Sequence, residues 1–115
     1  MATLVLVDTA PYGSEGPYNA LRLVQALLVK EEWVELFFMG DGVHTARVGQ
    51  QPMTAHASLE TMLREALDKG AQVSVCGTCC RARGVTEGEL VDGVHMATIN
   101  DLAGLVLSCE HALSF

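Results

Sequence analysis

Four short apolar runs punctuate this chain: "TLVLV" at 3–7, "VELFFM" at 34–39, "AQVSV" at 71–75 and "VHMAT" at 94–98. Each is too short for a helix, and "TLVLV", β-branched and apolar up to Asp8, is the most uniform of them. Runs of this kind read as strands buried on both faces. The segments between them carry a different period. Gly16 followed by Pro17 suits an N-cap and first helical position, and Leu21, Val24, Leu27 and Leu28 then recur at helical spacing. Ser58 is placed to cap a second helix, whose Leu59, Met62, Leu63, Ala66 and Leu67 share one face, with Gly70 at its end. Asn100 reads as the cap of a third, carrying Leu102, Leu105, Val106 and Cys109. "TEGELVDG" reads as a short turn or helix, and "HALSF" at 111–115 as a last strand.

Strands alternating with helices predict an α/β fold with a mostly parallel sheet of about five strands. Right-handed crossovers would place helices on both faces of that sheet. With 115 residues, no repeat, no low-complexity stretch and no linker, a single domain over 1–115 is expected. In such sheets ligands gather at the carboxyl ends of the strands. Three loops lie there: Asp8–Pro17, Gly40–Gln51 and Cys76–Gly84.

Composition removes several functions. A net charge of −7 argues against general nucleic-acid binding, which needs a basic footprint. There is no run of ~18 apolar residues to span a membrane. The opening "MATLVLVDTA" lacks a charged n-region, and Asp8 cuts its apolar run short. A cytoplasmic location is therefore expected, where stable disulfides are uncommon. The Gly-rich "GDGVHTARVG" lacks the G-K-[ST] ending of a phosphate-binding loop. Half of the residues are apolar, which suits a globular chain that also covers surface by self-association.

The stretch with the most chemistry is "VCGTCCRARGV" at 75–85, which holds three of the four cysteines. Cys76 directly follows the third strand, and the residues after it are expected to make a tight helical turn ending near Gly84. Unpaired backbone N–H groups at such a turn, with Arg81 and Arg83 and no acid in 76–85, favour thiolate over thiol at Cys76. Three uses are open to that thiolate. Cys76-Gly-Thr-Cys79 is a C-x-x-C, the spacing of a redox dithiol, although thioredoxin-like folds place it after an earlier strand. A closed zinc site wants four ligands, and His44, His56, His95, His111 and Cys109 are scattered, so only a subunit interface would complete one. The third use is sulfur carriage as a persulfide on one nucleophilic cysteine. Cys80 and Cys109 read as small buried hydrophobes.

The chain also resembles the DsrE/DsrF-like proteins, which include sulfur-relay subunits and a YchN-type branch. "PYGSEGPYNALRLVQAL" (11–27) is similar to the family's first loop and helix, and "FFMGDGVHTARVGQ" (37–50) to its second strand and loop. "VCGTCCRARGV" resembles its cysteine loop, with the Cys-x₇-Gly spacing and an Arg before that Gly. The resemblance implies a three-layer α/β/α sandwich and assembly into trimers or hexamers. It implies that Cys76 accepts and donates sulfane sulfur, with sulfur donor and acceptor proteins as partners; no cofactor or metal is expected. Sulfur-relay subunits have small apolar residues where this chain has Cys79 and Cys80, so the C-G-T-C form lies closer to the YchN-type branch.

The resulting candidate site comprises Cys76 and Cys79, with Gly77, Thr78, Arg81 and Arg83 stabilising the anion. Asp8 and Asp41 end strands on the same edge, where each either tunes a thiol or caps a turn. Tyr12 and Asn19 in the first loop and helix, and His44 in the second loop, complete the expected pocket lining.

Overall fold

The computed structural model describes residues 2–54 and 58–115. Five strands form one all-parallel sheet: β1 (Ala2–Val7), β2 (Trp33–Phe38), β3 (Gln72–Cys76), β4 (Val94–Ala97) and β5 (His111–Ser114), in the order β4-β3-β2-β1-β5. Four α-helices connect them: α1 (Gly16–Val29), α2 (Leu59–Asp68), α3 (Gly77–Ala82) and α4 (Ile99–Ser108). Short 3-10 turns cover Gly40–Ala46 and Glu87–Glu89.

The strand order dictates the layers. From β1 to β4 the chain advances across the sheet in one direction, and the last connection doubles back to lay β5 beside β1. Crossovers of one hand must then put the first helices on one face and the returning helix on the other. The two apolar clusters record this. Val5, Val7, Leu36, Phe38, Val73 and Val75 pack with Ala20, Leu21 and Val24 of α1 and Leu63 and Ala66 of α2. On the opposite face Leu4, Phe37 and Cys76 pack with Leu102 of α4. Alternate residues of β1 and β2 thus feed opposite layers, which is why their runs show no polar alternation. The expected three-layer α/β/α sandwich is the observed one. Burying each large side chain, such as Phe37 or Phe38, contributes about 1.5–3 kcal/mol.

Local chemistry corrects some expected boundaries. The N-cap of α1 is Glu15, with Gly16 and Pro17 as its first two helical residues, because Ser14 Oγ already accepts from the Gly16 N–H at 3.1 Å. The cap of α4 is Thr98, not Asn100: Thr98 Oγ1 accepts from the Asp101 N–H, and the Asp101 carboxylate accepts from the Thr98 N–H in return. Ser58 caps α2 as expected, accepting from the Thr61 N–H at 3.3 Å. The turn Gly40–Ala46 is seated hard against the first strand. A Cβ on Gly42 would lie 2.4 Å from the Val7 carbonyl oxygen, so only glycine lets this turn close over the end of β1. No helix among the described residues is long and apolar enough to cross a membrane.

Candidate functional site

β3 delivers Cys76 to the carboxyl edge of the sheet, where it ends the strand and caps α3 at once. Its Sγ accepts a hydrogen bond from the Cys79 N–H at 3.3 Å, and its residue is buried. The short helix α3 brings the half-buried Cys79 thiol beside that of Cys76, with the Gly40 N–H nearby. Cys80 points the other way, fully buried in the large core with Val85. The expectation that Cys80 is packing therefore matches its position. Gly77 is buried where there is little room for a side chain. A Cβ there would lie 3.2 Å from Arg81 Nη1 and 3.4 Å from the Ala97 carbonyl oxygen.

The arginines act differently from one another. Arg83 Nε donates to Asp41 Oδ1 at 2.8 Å and its Nη1 to the Cys79 carbonyl at 3.2 Å. This ties the 3-10 turn after β2 to the C-terminal end of α3. Arg81 donates to Thr78 Oγ1 at 3.3 Å. Among the described residues neither guanidinium hydrogen-bonds a cysteine sulfur, so both act on the thiols through space. Their pull does not dominate at Cys79 and Cys80. Burial pushes the Cys79 thiol up, and the adjacent Cys76 sulfur adds to it, while the Gly40 N–H and Arg83 oppose. Burial likewise raises the Cys80 thiol, against Arg81 and Arg83. The sequence shows the arginines but not the desolvation that outweighs them. Asp41 does more than cap a turn: its hydrogen bond from Arg83 holds its carboxyl below the usual carboxylate range.

The remaining candidates separate from the sulfurs. Tyr12 adopts a left-handed φ of 65°, uncommon for a residue with a side chain. Its hydroxyl donates to Gln50 Oε1 at 2.6 Å and accepts from the Leu59 N–H at 3.1 Å. Gln50 is in turn anchored to the Thr45 and Arg47 carbonyls, each at 2.8 Å. Tyr12, His44, Arg47 and Gln50 line a cleft of about 330 Å³. His44 shares its turn with Asp41 and so joins this cleft to the cysteine loop. Asp8 is exposed at the end of β1, its carbonyl facing the Gly40 turn. Asn19 stands apart on α1, accepting from Arg22 at 3.4 Å. His56 lies outside the described residues. No group of three or more potential metal-ligating side chains converges among the described residues.

Sequence reasoning missed the Gly40 N–H and the Gln50 anchor. The first is a backbone group, and its only signal was the "GDG" that follows a strand. The second depends on a chain reversal that no local pattern reports.

The chain and its parallel α/β fold have counterparts among known proteins. A family model, DsrE/DsrF-like, matches residues 1–115. This chain belongs to the DsrE/DsrF-like family. Within the family it is 35% identical to protein YchN of Escherichia coli strain K12 over 114 residues, covering 97% of each chain. It is 37% identical to an uncharacterised protein of Methanocaldococcus jannaschii over 115 residues, covering 100% of both. The crystal structure of YchN from E. coli superposes with a TM-score of 0.91 at 36% identity, over 100% of both chains. A protein of Methanobacterium thermoautotrophicum of unknown function shares the fold at a TM-score of 0.82 and 14% identity, over 99% of this chain and 98% of that one. The DsrE/DsrF-like family is associated with sulfur relay.

Proposed function

We propose that this protein is a small sulfur carrier of sulfurtransferase type, with Cys76 as the persulfide site. The observation that carries the reading is the Cys76 sulfur at the carboxyl edge of the sheet, accepting the Cys79 N–H at 3.3 Å. That edge is where parallel sheets bind their ligands, and a cysteine sulfur acts there as the nucleophile through its thiolate. In loading, the Cys76 thiolate attacks the outer sulfur of a donor persulfide. The donor S–S bond breaks, the donor sulfur leaves as a thiolate, and Cys76 carries the sulfane sulfur. In unloading, an acceptor thiolate attacks that terminal sulfur and Cys76 leaves as thiolate. No net oxidation occurs in either step.

Donor and acceptor are other proteins in this reading, and the chain works as a trimer or hexamer in the cytoplasm. Support for self-association is the outer surface of α4, where Ile99, Val106 and Leu107 are exposed, Leu107 at 87%. Gly77, Thr78, Arg81 and Arg83 shape the loop, while Asp8, Tyr12, Asn19, Asp41 and His44 are secondary contributors, Asn19 the most remote.

The side-by-side thiols favour one other reading, an oligomeric binding protein in which Cys76 and Cys79 sense redox state. Intact mass separates the two. Reduced protein is incubated with a sulfane-sulfur donor as wild type, Cys76→Ser and Cys79→Ser. Carriage gives added sulfur in wild type and none in Cys76→Ser. Wild type that takes up no sulfur from the donor, and in separate glutathione buffers forms a Cys76–Cys79 disulfide near the glutathione poise, supports sensing instead.

A further inference from the structure

A persulfide on Cys76 has a neighbour that a simple carrier does not need. The Cys79 thiol stands beside the Cys76 sulfur, and the Cys79 N–H binds that same sulfur at 3.3 Å. The turn that holds both is not free to swing away. Cys80, between Cys79 and the arginines in sequence, is fully buried in the large core, and the Arg83–Asp41 pair closes the far end at 2.8 Å. Cys79 is thus a second sulfur nucleophile fixed against the first.

Cys79 lies three residues beyond Cys76 on a turn pinned at the Cys76 sulfur by the Cys79 N–H. Attack by Cys79 requires the added sulfane sulfur to project away from it. The inner sulfur of the persulfide then lies in reach of Cys79, with the outer sulfur on the opposite side as the leaving group, the alignment that displacement at sulfur requires. Burial and the adjacent Cys76 sulfur raise the Cys79 thiol, with the Gly40 N–H and Arg83 opposing, so its attack quickens as pH rises.

Resting on the carrier reading above, we propose that Cys79 discharges the Cys76 persulfide as hydrosulfide, giving the protein a sulfide-releasing activity. The Cys79 thiolate attacks Cys76 Sγ, and a Cys76–Cys79 disulfide bond forms. The bond from Cys76 Sγ to the sulfane sulfur breaks, and that sulfur departs with the bonding pair as hydrosulfide. The sulfane sulfur is reduced, and the two cysteine sulfurs supply the electrons. Two equivalents of a small-molecule thiol then reduce the protein disulfide and are themselves oxidised to a disulfide. A sulfur delivered to the site thus has two exits: transfer to an acceptor thiol, or release when none arrives.

The test uses the reduced full chain, loaded with inorganic polysulfide, desalted without oxygen and followed by intact mass and a sulfide electrode. In wild type the adduct of one sulfur mass decays to a species two hydrogen masses below the reduced chain, with one hydrosulfide released per chain. Peptide mapping finds Cys76 joined to Cys79. Cys79→Ser and Cys79→Ala retain the adduct at least about tenfold longer, because the displacement has lost its intramolecular nucleophile. Cys109→Ser discharges like wild type. The proposal is overturned if wild type holds the adduct as long as the Cys79 variants do. It is equally overturned if the sulfur maps to Cys79, or leaves without a Cys76–Cys79 disulfide. Failure of wild type to take up any sulfur removes the carrier reading and this activity together. Uptake followed by stable retention removes this activity alone.

Discussion

Cys79 and Cys109 occupy opposite ends of the sheet and are both half-buried. Burial is the first cause raising each thiol. Their electrostatic surroundings are opposite. At the carboxyl edge the adjacent Cys76 sulfur adds to the desolvation of Cys79, while the Gly40 N–H and the Arg83 charge oppose both. At the amino edge Cys109 lines a cleft with Trp33, Glu35 and Glu110, and Glu35 and Glu32 drive its thiol further up, with only Ser108 opposing. Equal exposure therefore does not mean equal reactivity. What separates the two cysteines is the sign of the charged side chains that face them, Arg83 at Cys79 and the two glutamates at Cys109.

The contrast breaks most completely at Cys76. Cys76→Ser is expected to abolish persulfide uptake, while Cys109→Ser leaves it intact, as read by intact mass. Gly42→Ala comes next. Its new methyl would press on the Val7 carbonyl, at an expected cost of roughly 1–3 kcal/mol in denaturant melts. The damage should fall on one end: alkylation of Cys79 accelerates more than that of Cys109. Equal acceleration at both would show that the two ends are not separable.

Reaction rates of the native protein sharpen the comparison further. A maleimide reacts with thiolate, so a raised pKa moves the rate midpoint to higher pH. Both thiols should respond above the ordinary thiol range. With the other accessible cysteines replaced, Cys109 should lag at neutral pH because the nearby carboxylates add to its shift. A Cys109 rate equal to that of Cys79 would contradict the assigned role of charge. The smallest effect is expected from Asp41→Asn. Removing the carboxylate leaves the Arg83 charge uncompensated near Cys79, which should lower the pH midpoint of Cys79 alkylation and raise its neutral-pH rate a few-fold. Glu32→Gln, which keeps an acceptor for Thr3 Oγ1, should produce a comparably small gain at Cys109 and none at Cys79.

Much of this fold was legible because its three central strands are largely buried on both faces. "TLVLV" marks its strand by nearly unbroken apolar character, "AQVSV" by its buried valines, and the spacing from Leu59 to Leu67 marks α2. The boundaries were less legible where several residues compete to cap one helix. Thr98 displaced Asn100 because the reciprocal bond with Asp101 satisfies two backbone donors where a lone Asn satisfies one. Strand order was beyond local reading, yet it decides which helix faces which cluster. At the site, Cys76 and its turn followed from the strand that precedes them. The pairing of Arg83 with Asp41 bridges 42 residues of sequence and emerges only when two loops meet in space. The desolvation of Cys79 is likewise a property of packing, invisible in a string that shows mainly arginines.

The alternation of Cys79 outward and Cys80 inward has a bearing on motion. A loop able to open by itself would let its amides exchange with solvent long before the domain unfolds. Here the amide of Cys79 belongs to a turn whose next side chain is embedded in the main core, so opening that turn means extracting Cys80 from it. Hydrogen exchange at Cys79 should therefore track global unfolding, and the chemistry of the loop should keep its geometry for as long as the domain keeps its fold.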